Sequence, residues 1–155
     1  MSAGQTGGSI LRAYRPEDLT AVHALICRTI DACYTGAYPP AAVAYFKEYH
    51  SLDTITTEAE QGGTVVLQSG DRIVGVGALV GTTVKRVFVD PERQHQGLGR
   101  RIMAHLESLA RDRGVTTVEL DTSLVSKRFY DSLGYESGPL LRTPVEHYRM
   151  MKELR

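Results

Sequence analysis

The sequence predicts an α/β (α+β) fold: a mixed, largely antiparallel central sheet of about six to seven strands flanked by about four helices. Two observations predict it. Between Gly62 and Asp90, strand-length apolar runs are separated by short turns at Ser69-Gly70-Asp71 and Gly81, which is the pattern of an antiparallel meander. On either side, apolar residues recur at three- and four-residue intervals, the stripe of helices that pack on a sheet. Strands first joined by hairpins and later separated by helices imply a mixed sheet with helices on its faces.

The elements follow in order. Ile10 to Tyr14 reads as a first strand, and Arg15-Pro16-Glu17-Asp18 then supplies proline and acids where a helix begins. Leu19, Val22, Leu25, Ile26 and Ile30 form its apolar stripe, which ends near Tyr34-Thr35-Gly36. Pro39 and Pro40 open a second helix whose inward side carries Val43, Phe46 and Tyr49. The meander runs through Thr64–Gln68, Ile73–Val80 and Thr83–Val89. Leu98, Ile102, Leu106 and Leu109 mark the next helix, with Gly114 placed as its left-handed stop. Val115–Leu120 is a strand, Ser126–Leu133 a short helix closed by Gly134, and a strand over about Glu146–Lys152 ends the pattern.

Residues 10–155 carry no repeat or linker that would divide them, so one domain is expected, preceded by a glycine-rich, polar, disordered tail at residues 1–9. Eighteen basic and eighteen acidic residues leave formal net charge zero, so the overall balance attracts neither nucleic acid nor an anionic membrane. Cys27 and Cys33 match neither zinc nor redox spacing and read as free thiols in a reducing compartment. No apolar run approaches the roughly 20 residues that span a bilayer, and a soluble, cytoplasmic protein is expected.

The chemistry concentrates in Val87-Phe88-Val89-Asp90-Pro91-Glu92-Arg93-Gln94-His95-Gln96-Gly97-Leu98-Gly99-Arg100-Arg101. A β-branched strand passes through a glycine-spaced turn into a helix. Unpaired N–H groups and the helix dipole at such a junction favour an anion, a diphosphate above all. No Lys-Ser or Lys-Thr follows at Walker spacing, and the third glycine of a dinucleotide fingerprint is missing.

The order Gln94-x-x-Gly97-x-Gly99 after Val-Asp-Pro resembles the acyl-coenzyme A (acyl-CoA) signature of the GNAT (GCN5-related) N-acetyltransferase superfamily. A second anchor, Arg128-Phe129-Tyr130-Asp131-Ser132-Leu133-Gly134-Tyr135, resembles that family's later motif. The resemblance spans about Ile73 to the C-terminus. It implies the acyl-CoA N-acyltransferase fold, acetyl-CoA as co-substrate without a metal, and an amine of a small molecule or peptide as acceptor. The pantetheine arm would lie between strands ending at Val89 and near Asp121, bonded by the main chain of Val87 and Val89. Its diphosphate would rest on the amides from Gln94 through Arg100, which include His95, Gln96, Gly97, Leu98 and Gly99, with Arg93, Arg100 and Arg101 as nearby charge. Ser123 and Ser126 stand where the family often has asparagine and alanine, so the usual side-chain contact to the arm falls to a serine hydroxyl.

Tyr130 is the candidate catalytic residue, a phenol that protonates the departing thiolate. The main-chain N–H of Val87, Phe88 or Val89 is a candidate oxyanion donor. For the base the residues leave Glu119, Asp121, His147 or a water open, because Lys85 and Arg86 occupy the strand where many members place a glutamate. That departure motivates a second reading, a catalytically silent acetyl-CoA-binding sensor or subunit, and a third is a small anion-binding domain. No cluster has metal-ligand spacing, and His23, His50 and His105 read as surface or helix-face residues. Acceptor choice is expected from Ile30–His50, where Tyr34, Tyr38, Tyr45 and Tyr49 are candidate lining, and from Pro139–Glu146. Homodimerisation is a family-level expectation that the sequence neither supports nor excludes.

Overall fold

The computed structural model describes residues 8–155. Among them the strands are β1 (Ser9–Ala13), β2 (Thr64–Ser69), β3 (Arg72–Val80), β4 (Thr83–Val89), β5 (Thr117–Ser123), β6 (Glu136–Leu141) and β7 (His147–Glu153). The helices are α1 (Leu19–Cys33), α2 (Pro40–Tyr49), α3 (Leu52–Ala59), α4 (Leu98–Asp112) and α5 (Lys127–Ser132). The strands form one sheet in the order β1-β2-β3-β4-β5-β7-β6, antiparallel throughout except where β4 meets β5. No helix of the described residues is long and apolar enough to cross a membrane.

Helices cover both faces of the sheet. On one, Leu98, Ile102, Met103, Leu106 and Ala110 of α4 pack on Val65, Leu67, Val74, Leu79, Val118 and Leu120. On the other, Val22, Leu25, Ile26 and Ile30 of α1 join Val43, Ile55, Val66, Val76 and Phe88. Neighbouring residues of β2 and β3 serve opposite cores, which is why these strands read as nearly continuous apolar runs. Each fully buried side chain of this size contributes about 1.5–3 kcal/mol relative to exposure.

The helix stripe at α4 ends as its sequence requires. Gly114, at φ 79°, donates to Arg111 O, and Val115 N–H reaches back to Ala110 O at 2.9 Å. These two bonds complete a Schellman stop.

The structure departs from the sequence expectation at several elements. Ser9, assigned to the tail, begins β1, and Arg101 donates to its carbonyl and hydroxyl at 2.9 and 3.0 Å. Residues 1–7 of the tail lie outside the described residues. Helix α3 was not expected, because Thr54, Ile55, Thr56 and Thr57 lower its helix propensity. Its one local signal is Ser51, whose Oγ accepts the Thr54 N–H at 3.2 Å as an N-cap. Strand β6 was hidden by Gly138 and Pro139, residues that a strand at the edge of the sheet tolerates. The strand expected at Val115–Leu120 is shifted to Thr117–Ser123 because Val115 is used in the α4 stop.

Gly77 of β3 lies beneath α4, where a Cβ would stand 2.5 Å from Ile102 Cγ2, an atom fixed close to its own backbone. Gly77→Ala should therefore destabilise the fold by about 1–3 kcal/mol through overpacking, read as a lower urea midpoint with unchanged slope.

Candidate active site

Strands β4 and β5 are in register at one pair, Thr83 with Glu119, where Glu119 N–H donates to Thr82 O at 3.0 Å. Beyond it they part. Asp90 N–H bonds Val74 O on β3 at 2.9 Å and Val76 pairs with Phe88, so alternation turns the main chain of Val89 into the opening. The Val89 carbonyl accepts from Gln94 Nε2 at 3.1 Å. Phe88 faces β3 instead, which leaves Val87 and Val89 as the main-chain candidates on this edge.

A bulge interrupts β4. Val76 opposes Phe88 and Ala78 opposes Lys85, so Arg86 and Val87 together face Gly77, with Arg86 at φ 63°. The extra residue changes which face each side chain serves. Val84 and Phe88, which would share a face in a regular strand, enter opposite cores. Lys85 and Arg86, which would point apart, both reach Glu58 of α3, Lys85 Nζ at 2.7 Å and Arg86 Nη1 at 2.9 Å.

Two clefts of about 390 Å³ each meet at the opening, and Tyr34, Val87, Phe88, Ser126 and Tyr130 line both. The first is completed by Val89, Gln94, His95, Gly97, Leu98, Gly99 and Arg100, together with Cys33, Arg93 and Phe129. Gly97 is the N-cap of α4 at φ 81°, and a Cβ there would meet nothing within 4 Å. Open space therefore stands over the first N–H groups of α4, which lack intrahelical acceptors. Gly99 answers a different need: a Cβ would lie 3.0 Å from Phe129 Cζ, so this glycine lets α5 close onto the start of α4. Arg100 donates to Ser132 Oγ at 3.1 Å and Arg101 turns away to Ser9.

The second cleft is completed by α2, by the far half of β4 and by β5, β7 and the connection at Pro144 and Val145. Tyr45, Tyr49, His50, Lys85, Arg86, Asp121, Ser123, His147 and Arg149 line it. Tyr38 does not. Its hydroxyl accepts from Leu124 N–H at 2.8 Å and donates to Glu146 O at 2.7 Å, which ties the α1–α2 loop to the far wall. Arg149 pairs with both Glu119 and Asp121, the latter at 3.1 Å. His147 Nδ1 lies 2.8 Å from Val145 O; a carbonyl only accepts, so Nδ1 carries a proton.

Tyr130 is buried, and its phenol is held well above its ordinary value by burial and by Tyr34, so it keeps its proton. Burial likewise pushes Tyr34 up to about 12. Tyr130 packs between Phe129 and Tyr135, with ring centroids at 5.0 and 5.7 Å. Tyr135 donates in turn to the buried Glu107 of α4 at 2.9 Å, and Lys152 completes that carboxylate at 3.0 Å.

A family model described as acetyltransferase (GNAT) domain matches residues 34–154. The chain belongs to the GNAT acetyltransferase family. Its fold is similar to that of a GCN5-related N-acetyltransferase from Rhodopseudomonas palustris, with TM-score 0.84, 21% identity and coverage of 94% of this chain and 95% of that one. It is also similar to the PaiA N-acetyltransferase of Thermoplasma acidophilum in complex with coenzyme A, with TM-score 0.78, 16% identity and coverage of 94% and 99%. Among curated proteins, YyaT of Bacillus subtilis, itself uncharacterised, is 28% identical over 116 residues, 71% of this chain and 78% of YyaT.

The two clefts do not take in every residue singled out by sequence. Gln96 is exposed and lines neither cleft, and Ser123 lines the second cleft rather than the one beside the glycine loop. His50 is not a surface residue: it is 7% exposed, stacked edge-on against Phe88 at 5.1 Å. Glu58 went unremarked in the sequence, since only the bulge in β4 brings two cations to it.

The glycine loop is anchored through Asp90, which is 1% exposed and accepts from Glu92 N–H at 2.9 Å and Arg28 at 2.8 Å. Burial alone would raise this carboxyl, but the Glu92 amide and Arg28 outweigh it and hold it below its ordinary 3.8. A depressed folded value means that the stabilisation is complete above the unfolded value and is lost as pH falls through the folded one. Asp90→Asn should cost about 1–3 kcal/mol near pH 7. Urea unfolding of both proteins should show that gap constant above about pH 5 and shrinking below it.

Proposed function

We propose that this GNAT protein transfers the acetyl group of acetyl-CoA directly to a primary amine of a small molecule or peptide within a ternary complex. One observation carries the reading: the glycine-loop cleft and the polar cleft meet where β4 and β5 part, and Tyr130 lines both. A donor entering from one side and an acceptor from the other would react at that junction.

The first N–H groups of α4, from Leu98 to Arg100, would hold the diphosphate. The main chain of Val87 and Val89 would bond the pantetheine amides as an added strand does, with Ser126 beside the arm. The acceptor nitrogen attacks the thioester carbon, an N–C bond forms, and the C–S bond breaks with its electron pair on sulfur. The Val87 N–H, facing the opening, is the candidate donor to the oxyanion. The raised phenol of Tyr130 is a weaker acid than a thiol, so it stabilises the departing sulfur as a charge-assisted hydrogen-bond donor. The nitrogen's proton passes to His147 Nε2 or to a water it holds.

Tyr130→Phe should lower kcat about 100-fold or more while the Kd for coenzyme A changes less than about threefold. Thiol release from acetyl-CoA over an amine panel, with calorimetry for binding, measures both. Release untouched by the substitution removes Tyr130 from the reaction. Donor binding without release for every amine overturns the transferase and leaves an acetyl-CoA-binding sensor.

A further inference from the structure

We infer that the acceptor is a free amino acid, its carboxylate held by Lys85 and Arg86 on β4 and its amine drawn to Asp121 on β5. This rests on the transferase reading of the same site and adds a substrate class to it.

Among the described residues, two buried side-chain nitrogens lack a hydrogen-bond partner, His50 Nδ1 and Arg86 Nε, while the Ser123 hydroxyl bonds the Tyr34 phenol. Both residues line the second cleft, and each is more than nine-tenths buried. Native proteins leave few such atoms unmatched, and two beside one cavity mark its β4 wall as polar. Arg86 Nε–H can only donate, so its missing partner is an acceptor.

Charge identifies that acceptor. Lys85 and Arg86 share the single carboxylate of Glu58, which leaves one cation over at a wall where Arg86 is 1% exposed. A carbonyl or alcohol would leave the extra charge unpaired; a carboxylate answers it, reached through the more exposed Lys85. His50 adds no charge there, because burial, Arg86 and Lys85 push its imidazole down to about 3.

The adjacent strand shows the opposite imbalance. Glu119 and Asp121 share the single cation of Arg149, and the surplus is negative. Thr83 and Glu119 are in register, so Lys85 and Asp121, each two residues farther on, lie across from one another on strands about 5 Å apart and separating. A polyamine would leave the β4 cations unanswered, and a polyanion would be repelled at β5. A peptide N-terminus presents an amide where the carboxylate is required. A free amino acid carries both charges at a separation of this order and fits a 390 Å³ cleft.

Calorimetry on the full chain saturated with coenzyme A tests this, using L-amino acids beside their amides and the matching amines that lack the carboxyl group. At least one amino acid should bind tenfold or more tightly than both counterparts, and Arg86→Gln should erase that preference. Lys85→Met, at a less buried position, should do the same and serves if the first variant does not fold. Equal affinity for acid and amide, no binding by any amino acid, or a preference that survives substitution overturns the inference. Turnover separates the two readings. Acetylation of amines regardless of a carboxylate removes the subsite and keeps the transferase; selective binding of amino acids that are never acetylated keeps the subsite and removes the transferase.

Discussion

The parting of β4 from β5 is the constraint on which the rest of the structure depends. β4 must remain bonded to β3 along its length, or the centre of the sheet would lose its ladder, and yet leave β5 after one registered pair. The bulge at Arg86 bends and twists the strand there. A non-glycine residue at φ 63° costs on the order of 1–2 kcal/mol, offset locally by the Glu58 contacts and by burial of Phe88. The main-chain groups that β5 abandons are costly to bury unmatched. Gln94 meets one of them from within the chain, and the proposed pantetheine arm would meet others as an added strand does.

The charges around the bulge are not explained by stability alone. A buried ion pair seldom outperforms apolar residues of the same volume, because desolvation offsets most of the Coulomb gain. Here two cations converge on Glu58, Arg86 Nε and His50 Nδ1 lack partners, and aromatic rings surround them. Local departures of this kind concentrate where a chain binds something, and these border a cleft.

How far the sequence reveals this depends on whether a feature is periodic. The meander and α4 are legible because each follows its own repeat over many residues, with Gly81 and Gly114 as stops. The glycine loop and Tyr130 are legible as local motifs. The β4 wall of the second cleft is not, because it is made by a break in periodicity: strict alternation would place Val84, Arg86 and Phe88 together, and one inserted residue sends Val84 and Phe88 to opposite cores. Glu58 sits on a helix of weak propensity, and His50 follows the end of α2 with charged and aromatic neighbours that resemble a surface. Nothing local marks either one as buried or as part of a cleft.

Tyr130 and the glycine loop are far apart in sequence but are positioned by the same rigid body. Gly134, at φ 91°, reverses the chain so that Tyr135 N–H reaches Tyr130 O at 3.1 Å and the two rings pack edge to face. Tyr135 is then pinned to Glu107, nine residues along α4 from Leu98 or about 13 Å of helix. At the other end, Gly99 admits Phe129 against the first turn of α4. The glycine loop and the phenol are thus both referenced to α4 rather than to flexible loops. In the proposed reaction, a donor whose diphosphate rested at the N-terminus of α4 would meet Tyr130 at a distance fixed by helix geometry, as a group acting only in the transition state requires.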